Sequence, residues 1–262
     1  MPYAVAGDNV RLYFEEAGSG TPIIFLHEFA ADHTNWEPQM RYFSRGHRCI
    51  AYSARGYTPS DVPASKDVYT YKHFQTDALA VLDHLGIARA AVVAQSMGGW
   101  TAVGAAVRAP ERFWGIVLAN TVGNLSNPEI AAVKQRLAAA SPPRPAVLWH
   151  AALGPTFRKA EPVRTFLYAQ IAGLNPPRPA DFSDQLGRLT TPVERYVATR
   201  VPTMFLTSDE DGLIWPELSK TVHEHVPGSR FERVGAAGHS TYFERPDVFN
   251  REAGAFLKAH RP

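Results

Sequence analysis

Cysteine is almost missing from this chain: Cys49 stands alone, so no internal disulfide framework can form and a reducing, cytoplasmic setting is expected. Long apolar runs are missing as well. No stretch approaches the roughly 20 residues of a membrane span, and residues 1–16 lack the apolar core of a secretion signal. Nor is there an excess of one charge. The 27 Lys and Arg are nearly matched by 25 Asp and Glu, and no basic run is interleaved with aromatics. A nucleic-acid surface is therefore not expected, nor a membrane partner. No Cys–His cluster or nucleotide-type glycine loop calls for a metal or organic cofactor, and Gly18-Ser19-Gly20 reads as a simple turn. What remains is an ordinary globular composition, 45% hydrophobic over 262 residues, enough for one large α/β domain or two small ones.

Strand-like and helix-like segments alternate, which predicts an α/β fold with a mainly parallel sheet. Strands are expected at 10–17, 22–26, 48–52, 90–94, 115–119, 202–207 and 229–234. An amphipathic helix over 71–85 carries Phe74, Ala78, Leu82 and Leu85 on one stripe, with Gly86 suited to its C-terminal cap. The closing helix carries Phe249, Ala253, Phe256 and Leu257 on one face. Between 121 and 200 the rhythm breaks. Prolines such as Pro128, Pro142-Pro143, Pro155, Pro162, Pro176-Pro177 and Pro192 chop short helical stretches, and no buried strand is evident. This segment reads as a helical cap over the strand ends, inserted into a core of 1–120 and 201–262. Its ten Lys and Arg outnumber five Asp and Glu, which suggests a solvated outer face or, more sharply, attraction of anionic substrates.

The most informative motif is Gln95-Ser96-Met97-Gly98-Gly99, set between the apolar run 90–94 and a small-residue helix pattern over 100–109. A serine at a strand-to-helix corner with small neighbours, here Ala94 and Gly98, has its hydroxyl exposed for attack. The plainer reading is a helix N-cap serine. A serine hydroxyl needs a base and something to orient that base. His239 follows a late strand in a glycine-flanked loop, unlike His73, His84, His223 and His225, which fall on helix patterns. The acid lies among Asp209, Glu210 and Asp211, with Asp211 nearest the loop tip before Pro216. The order serine, acid, histidine, each after a successive strand, suits a catalytic triad.

Five segments together resemble the serine-hydrolase branch of the α/β-hydrolase superfamily: Phe-Leu-His-Glu-Phe (25–29), Ser-Ala-Arg-Gly-Tyr-Thr-Pro-Ser-Asp (53–61), Gln-Ser-Met-Gly-Gly (95–99), Asp-Gly-Leu-Ile-Trp-Pro (211–216) and Gly-His-Ser-Thr-Tyr-Phe-Glu-Arg-Pro (238–246). The resemblance implies a mostly parallel eight-stranded sheet flanked by helices, with a helical cap. It implies Ser96 as nucleophile, His239 as base and acid, Asp211 as orienter, and the backbone N–H groups of Phe29 and Met97 as oxyanion hole. Three residues depart from the pattern: Ala94 and Glu28 where glycine is usual, and Ser53 where aspartate is usual. Glu28 either faces the pocket and acts on substrate or water, or points away toward a basic partner; a buried carboxylate needs one or the other.

A cofactor-free hydrolase of a small to medium, partly apolar carboxylic ester or lactone is the expectation. Trp100, Trp149, Phe157, Phe166, Tyr168 and Phe182 are available to line its pocket or to pack the cap. A C–C bond hydrolase of diketones or ring-cleavage products is the alternative chemistry, and a ligand sensor on a hydrolase fold the alternative class. A nucleophilic serine rather than aspartate argues against epoxide or haloalkane chemistry.

Overall fold

The computed structural model describes residues 2–141, 148–177 and 189–262. Eight strands form the main sheet: β1 (Tyr3–Val5), β2 (Arg11–Ala17), β3 (Thr21–Leu26), β4 (His47–Tyr52), β5 (Ala90–Gln95), β6 (Phe113–Ala119), β9 (Thr203–Ser208) and β10 (Arg230–Val234). Their order is β1-β2-β4-β3-β5-β6-β9-β10. β1 and β2 run antiparallel to their neighbours, and the rest of the sheet is parallel. The expected eight-stranded, mostly parallel sheet is present. β1 was not anticipated; three residues are too few to show a period.

Apolar runs become strands here because both faces of the sheet are covered. Successive residues of β3 part company: Ile24 and Leu26 pack into one core, Ile23 and Phe25 into the other. The first core lies under α2 (Tyr71–His84) and α3 (Met97–Arg108), which contribute Phe74, Ala78, Leu82, Ala102 and Val103. The second lies under α1 (Glu37–Phe43) and the closing helix Pro246–His260, whose Phe249, Ala253, Phe256 and Leu257 are all buried as expected. Helix α3 starts at Met97, three residues before the expected start. Gly98 leaves no side chain to hold α3 away from β3: a Cβ there would stand 2.3 Å from the Leu26 carbonyl oxygen.

Between β6 and β9 the described chain is mainly helical: α4 (Pro128–Ala140), α5 (Leu148–Ala152), α6 (Pro155–Ala160), α7 (Pro162–Leu174) and α8 (Val193–Val197). Proline opens α4, α6 and α7, where its missing N–H costs nothing. One correction arises in this segment. A two-residue parallel pairing joins β7 (Leu125–Ser126) to β8 (Thr191–Pro192), where no strand was anticipated. It is too short for any periodicity, and depends on Thr191 N–H donating to the Asn124 carbonyl at 2.8 Å. Pro142 and Pro143, and Phe182, lie outside the described residues.

The remaining helices are α9 (Pro216–Glu224), α10 (Thr241–Glu244) and α11 (Pro246–His260). No helix among the described residues is long and apolar enough to cross a membrane. The chain leaves β3 toward β4 on one side and returns through β5 on the other. Such a reversal opens a crevice at the carboxyl ends of the two strands, and Leu26 and Ala94 pair across it.

Candidate active site

Ser96 occupies the corner between β5 and α3 with φ +48 and ψ −113, a left-handed backbone that a non-glycine residue adopts only when its surroundings compel it. The compulsion is visible. Its N–H donates to the Ala119 carbonyl at 3.0 Å, and its own carbonyl accepts from Gly99 N–H at 2.9 Å. Its hydroxyl does not cap α3, so the N-cap role fails. Instead Ser96 lines a cavity of about 180 Å³.

His239 lines the same cavity and is buried. Its Nδ1–H donates to Asp211, 3.0 Å from Oδ2 and 3.1 Å from Oδ1, which leaves Nε2 as the basic nitrogen. Asp211 is buried too, and its own position is fixed by three donors: Leu213 N–H and Ile214 N–H, each 2.9 Å from Oδ1, and Asn120 Nδ2, 3.0 Å from Oδ2. The other two acids of the loop are used elsewhere. Asp209 pairs with Arg233, and Glu210 accepts from Thr156 N–H at 3.0 Å. Gln95 Nε2 donates to the His239 carbonyl, tying the histidine loop to the end of β5. Burial opposes a charged imidazole, but Asp211, then Glu28 and Glu244, outweigh it and hold the His239 pKa above the ordinary histidine value.

Phe29, in the loop after β3, and Met97, the first residue of α3, line the same cavity as Ser96. The Phe29 loop is braced by His27, whose Nδ1–H donates to the Glu28 carbonyl at 2.7 Å while Nε2 accepts from Ala54 N–H at 3.0 Å. Tyr57 hydroxyl donates to the Phe29 carbonyl at 3.0 Å. Ser53 is buried and bonded to His33 and to Thr58, a scaffolding role. Trp100, Leu213, Ile214 and Ala152 complete the apolar wall.

Glu28 resolves into neither simple alternative. It is 1% exposed and faces the cavity, but its partners are hydroxyls rather than a cation. Its Oε1 accepts from Tyr168 at 2.7 Å, Ser240 at 2.7 Å and Tyr242 at 2.9 Å. Its Oε2 lies 3.9 Å from His239 Nε2. Tyr168 thus serves as a buried strut between α7 and Glu28. Phe157 is buried under Phe243, whereas Phe166 is 65% exposed. Trp149 packs against the second core and is not among the cavity-lining residues described.

Glu244 was not singled out from the sequence. Its Oε2 accepts from Gly238 N–H at 2.9 Å and Gly154 N–H at 3.1 Å, which joins the histidine loop to the α5–α6 turn. Those two backbones touch: a Cβ on Gly238 would stand 2.2 Å from Gly154 N. Burial pushes the Glu244 carboxyl up to about 7, against the pull of the two N–H donors. Its only sequence signal was an acidic residue near the histidine, which many solvated helix ends also show.

The profile of the alpha/beta hydrolase fold family matches residues 21–246 of the chain. An epoxide hydrolase of Caballeronia sordidicola is 36% identical over 112 residues, a match that covers 42% of this chain and 34% of that relative. A 3-oxoadipate enol-lactonase of Acinetobacter baylyi is 27% identical over 90% of this chain and 88% of its own length. Among solved structures, a thermophilic esterase from Thermogutta terrifontis superposes with a TM-score of 0.84 at 23% identity, covering 100% of this chain and 99% of its own.

Proposed function

Since the chain belongs to the alpha/beta hydrolase fold family, we propose that it is a serine hydrolase that opens a carboxylic ester or lactone of a small, partly apolar molecule through an acyl-enzyme. The observation that carries this reading is the Asp211–His239 pair opening onto the cavity that Ser96 lines. In the first half-reaction the Ser96 hydroxyl proton passes to His239 Nε2 as Oγ bonds to the carbonyl carbon. The negative charge on the carbonyl oxygen is held by the N–H groups of Phe29 and Met97, each such donor being worth about 3–4 kcal/mol in the transition state. Collapse expels the alcohol oxygen, which takes the proton from His239. Water then repeats the sequence on the acyl-enzyme, releasing the acid and restoring Ser96.

Asp211 fixes the tautomer and steadies the imidazolium. The apolar wall of Trp100, Leu213 and Ile214 suits the acyl or alcohol chain. A serine at the corner, rather than a carboxylate, separates this reading from the epoxide chemistry in one relative's name. The test is a stopped-flow trace with p-nitrophenyl acetate. A burst of p-nitrophenol matching the enzyme concentration, absent in Ser96→Ala, is expected. Undiminished turnover by Ser96→Ala would overturn the proposal.

A further inference from the structure

The acyl-transfer scheme leaves one charged group of the cavity unused. Glu28 is 1% exposed, and its Oε1 is occupied by three hydroxyl donors. Among the described residues no hydrogen bond reaches Oε2; the contact recorded for it is His239 Nε2, and 3.9 Å is beyond hydrogen-bond length. His239 must be uncharged to act as a base, and once charged it is already met by Asp211. Before the reaction, therefore, two carboxylates flank a neutral ring. No Lys or Arg is among the described residues that line the cavity, so none of those residues answers the Glu28 charge with a cation. A buried carboxylate answered only by O–H dipoles is costly to hold, and a cation supplied by a ligand recovers part of that cost. The Trp100 indole, in the same wall, is a favourable neighbour for such a cation.

Resting on the ester-hydrolase reading, we propose that this cavity selects esters or lactones that carry an ammonium group near the scissile carbonyl, with Glu28 Oε2 as the acceptor that sets the specificity. Substrates with a carboxylate at that position are disfavoured by the same charge. The small cavity places the ammonium within a few bonds of the reacting carbon. Glu28 thus acts on the substrate as a specificity determinant, while Tyr168, Ser240 and Tyr242 hold it in position.

Three methyl esters of similar shape test this: methyl 3-aminopropanoate, methyl butanoate and monomethyl succinate, followed by pH-stat titration at pH 7.5. For the wild type, kcat/KM for the ammonium ester is expected to exceed that for the neutral ester by at least about tenfold, and the carboxylate ester to rank last. Glu28→Gln is expected to bring the first ratio to within about threefold. Equal kcat/KM for the ammonium and neutral esters in the wild type overturns the proposal, whether or not Glu28→Gln folds. So does an unchanged ratio in a folded Glu28→Gln. Should the wild type cleave none of the three, the hydrolytic reading fails separately. Calorimetric titration of Ser96→Ala with methyl 3-aminopropanoate and methyl butanoate then decides the site: tighter binding of the former upholds it, and equal or absent binding sinks it.

Discussion

Glu244→Gln should flatten the pH dependence of stability. Glu244 is 3% exposed, and burial raises its carboxyl from an ordinary 4.5 to about 7 in the folded protein. A raised folded-state value means that the native state binds the proton more tightly than the unfolded chain does. The stability tied to that proton is present below the unfolded value and is lost as pH rises through the folded one. Between pH 5 and pH 8 the loss amounts to about 2.5 kcal/mol. For a chain of 262 residues that corresponds to roughly 4–5 °C in Tm. Glutamine keeps a carbonyl oxygen for the N–H groups of Gly154 and Gly238 but cannot titrate. The assay is a pair of thermal melts at each pH, wild type against Glu244→Gln, so that groups common to both cancel. The Tm of the wild type relative to the variant should be higher at pH 5 than at pH 8 by that margin. A difference that is constant with pH, or larger at pH 8, refutes the reasoning.

Asp211→Asn leaves the geometry of the loop but favours the wrong imidazole tautomer, so kcat should fall by roughly 10⁴ with little change in far-UV circular dichroism. Asp211 and Glu28 hold the His239 pKa above the ordinary value, and the base works only when neutral. The acid limb of kcat/KM should therefore lie above the ordinary histidine range, and Glu28→Gln should lower it; an unmoved limb would show that Glu28 does not act on the ring. Arg55 is fully buried between Asp77 and Asp8, at 2.6 Å and 2.7 Å. Arg55→Leu leaves Asp77 buried without its cation and should cost about 3–5 kcal/mol in urea denaturation.

The parts of this molecule that were legible in the chain are those where chemistry and period coincide. Residues 22–26, 90–94 and 113–119 of β3, β5 and β6 form apolar runs because both faces of the sheet are covered, and such runs are visible in any window. Ser96, Asp211 and His239 were legible for a different reason. Each lies within five residues of the end of a parallel strand, and the glycines near Ser96 and His239 mark close approaches of backbone. Glu28 was visible as a departure, but its partners Tyr168, Ser240 and Tyr242 come from α7 and from the segment beyond His239. No local pattern announces such a meeting. Tyr168 and Trp149 each read as an aromatic available to line the pocket or to pack the cap, and Trp149 packs against the second core. Aromatic content alone does not tell a wall from a foundation. Glu244 and Asn120 were silent because each works through backbone groups or another side chain's carboxylate, which leaves no spacing to detect.

Covalent labelling is the most direct test of the central claim. A fluorophosphonate probe reacts with a serine only when a neighbouring base activates it. Intact-mass analysis followed by peptide sequencing should find a single adduct, on Ser96, with labelling slowed at least about 10³-fold in His239→Ala. A labelled serine elsewhere, or equal labelling rates in the wild type and His239→Ala, would contradict the account.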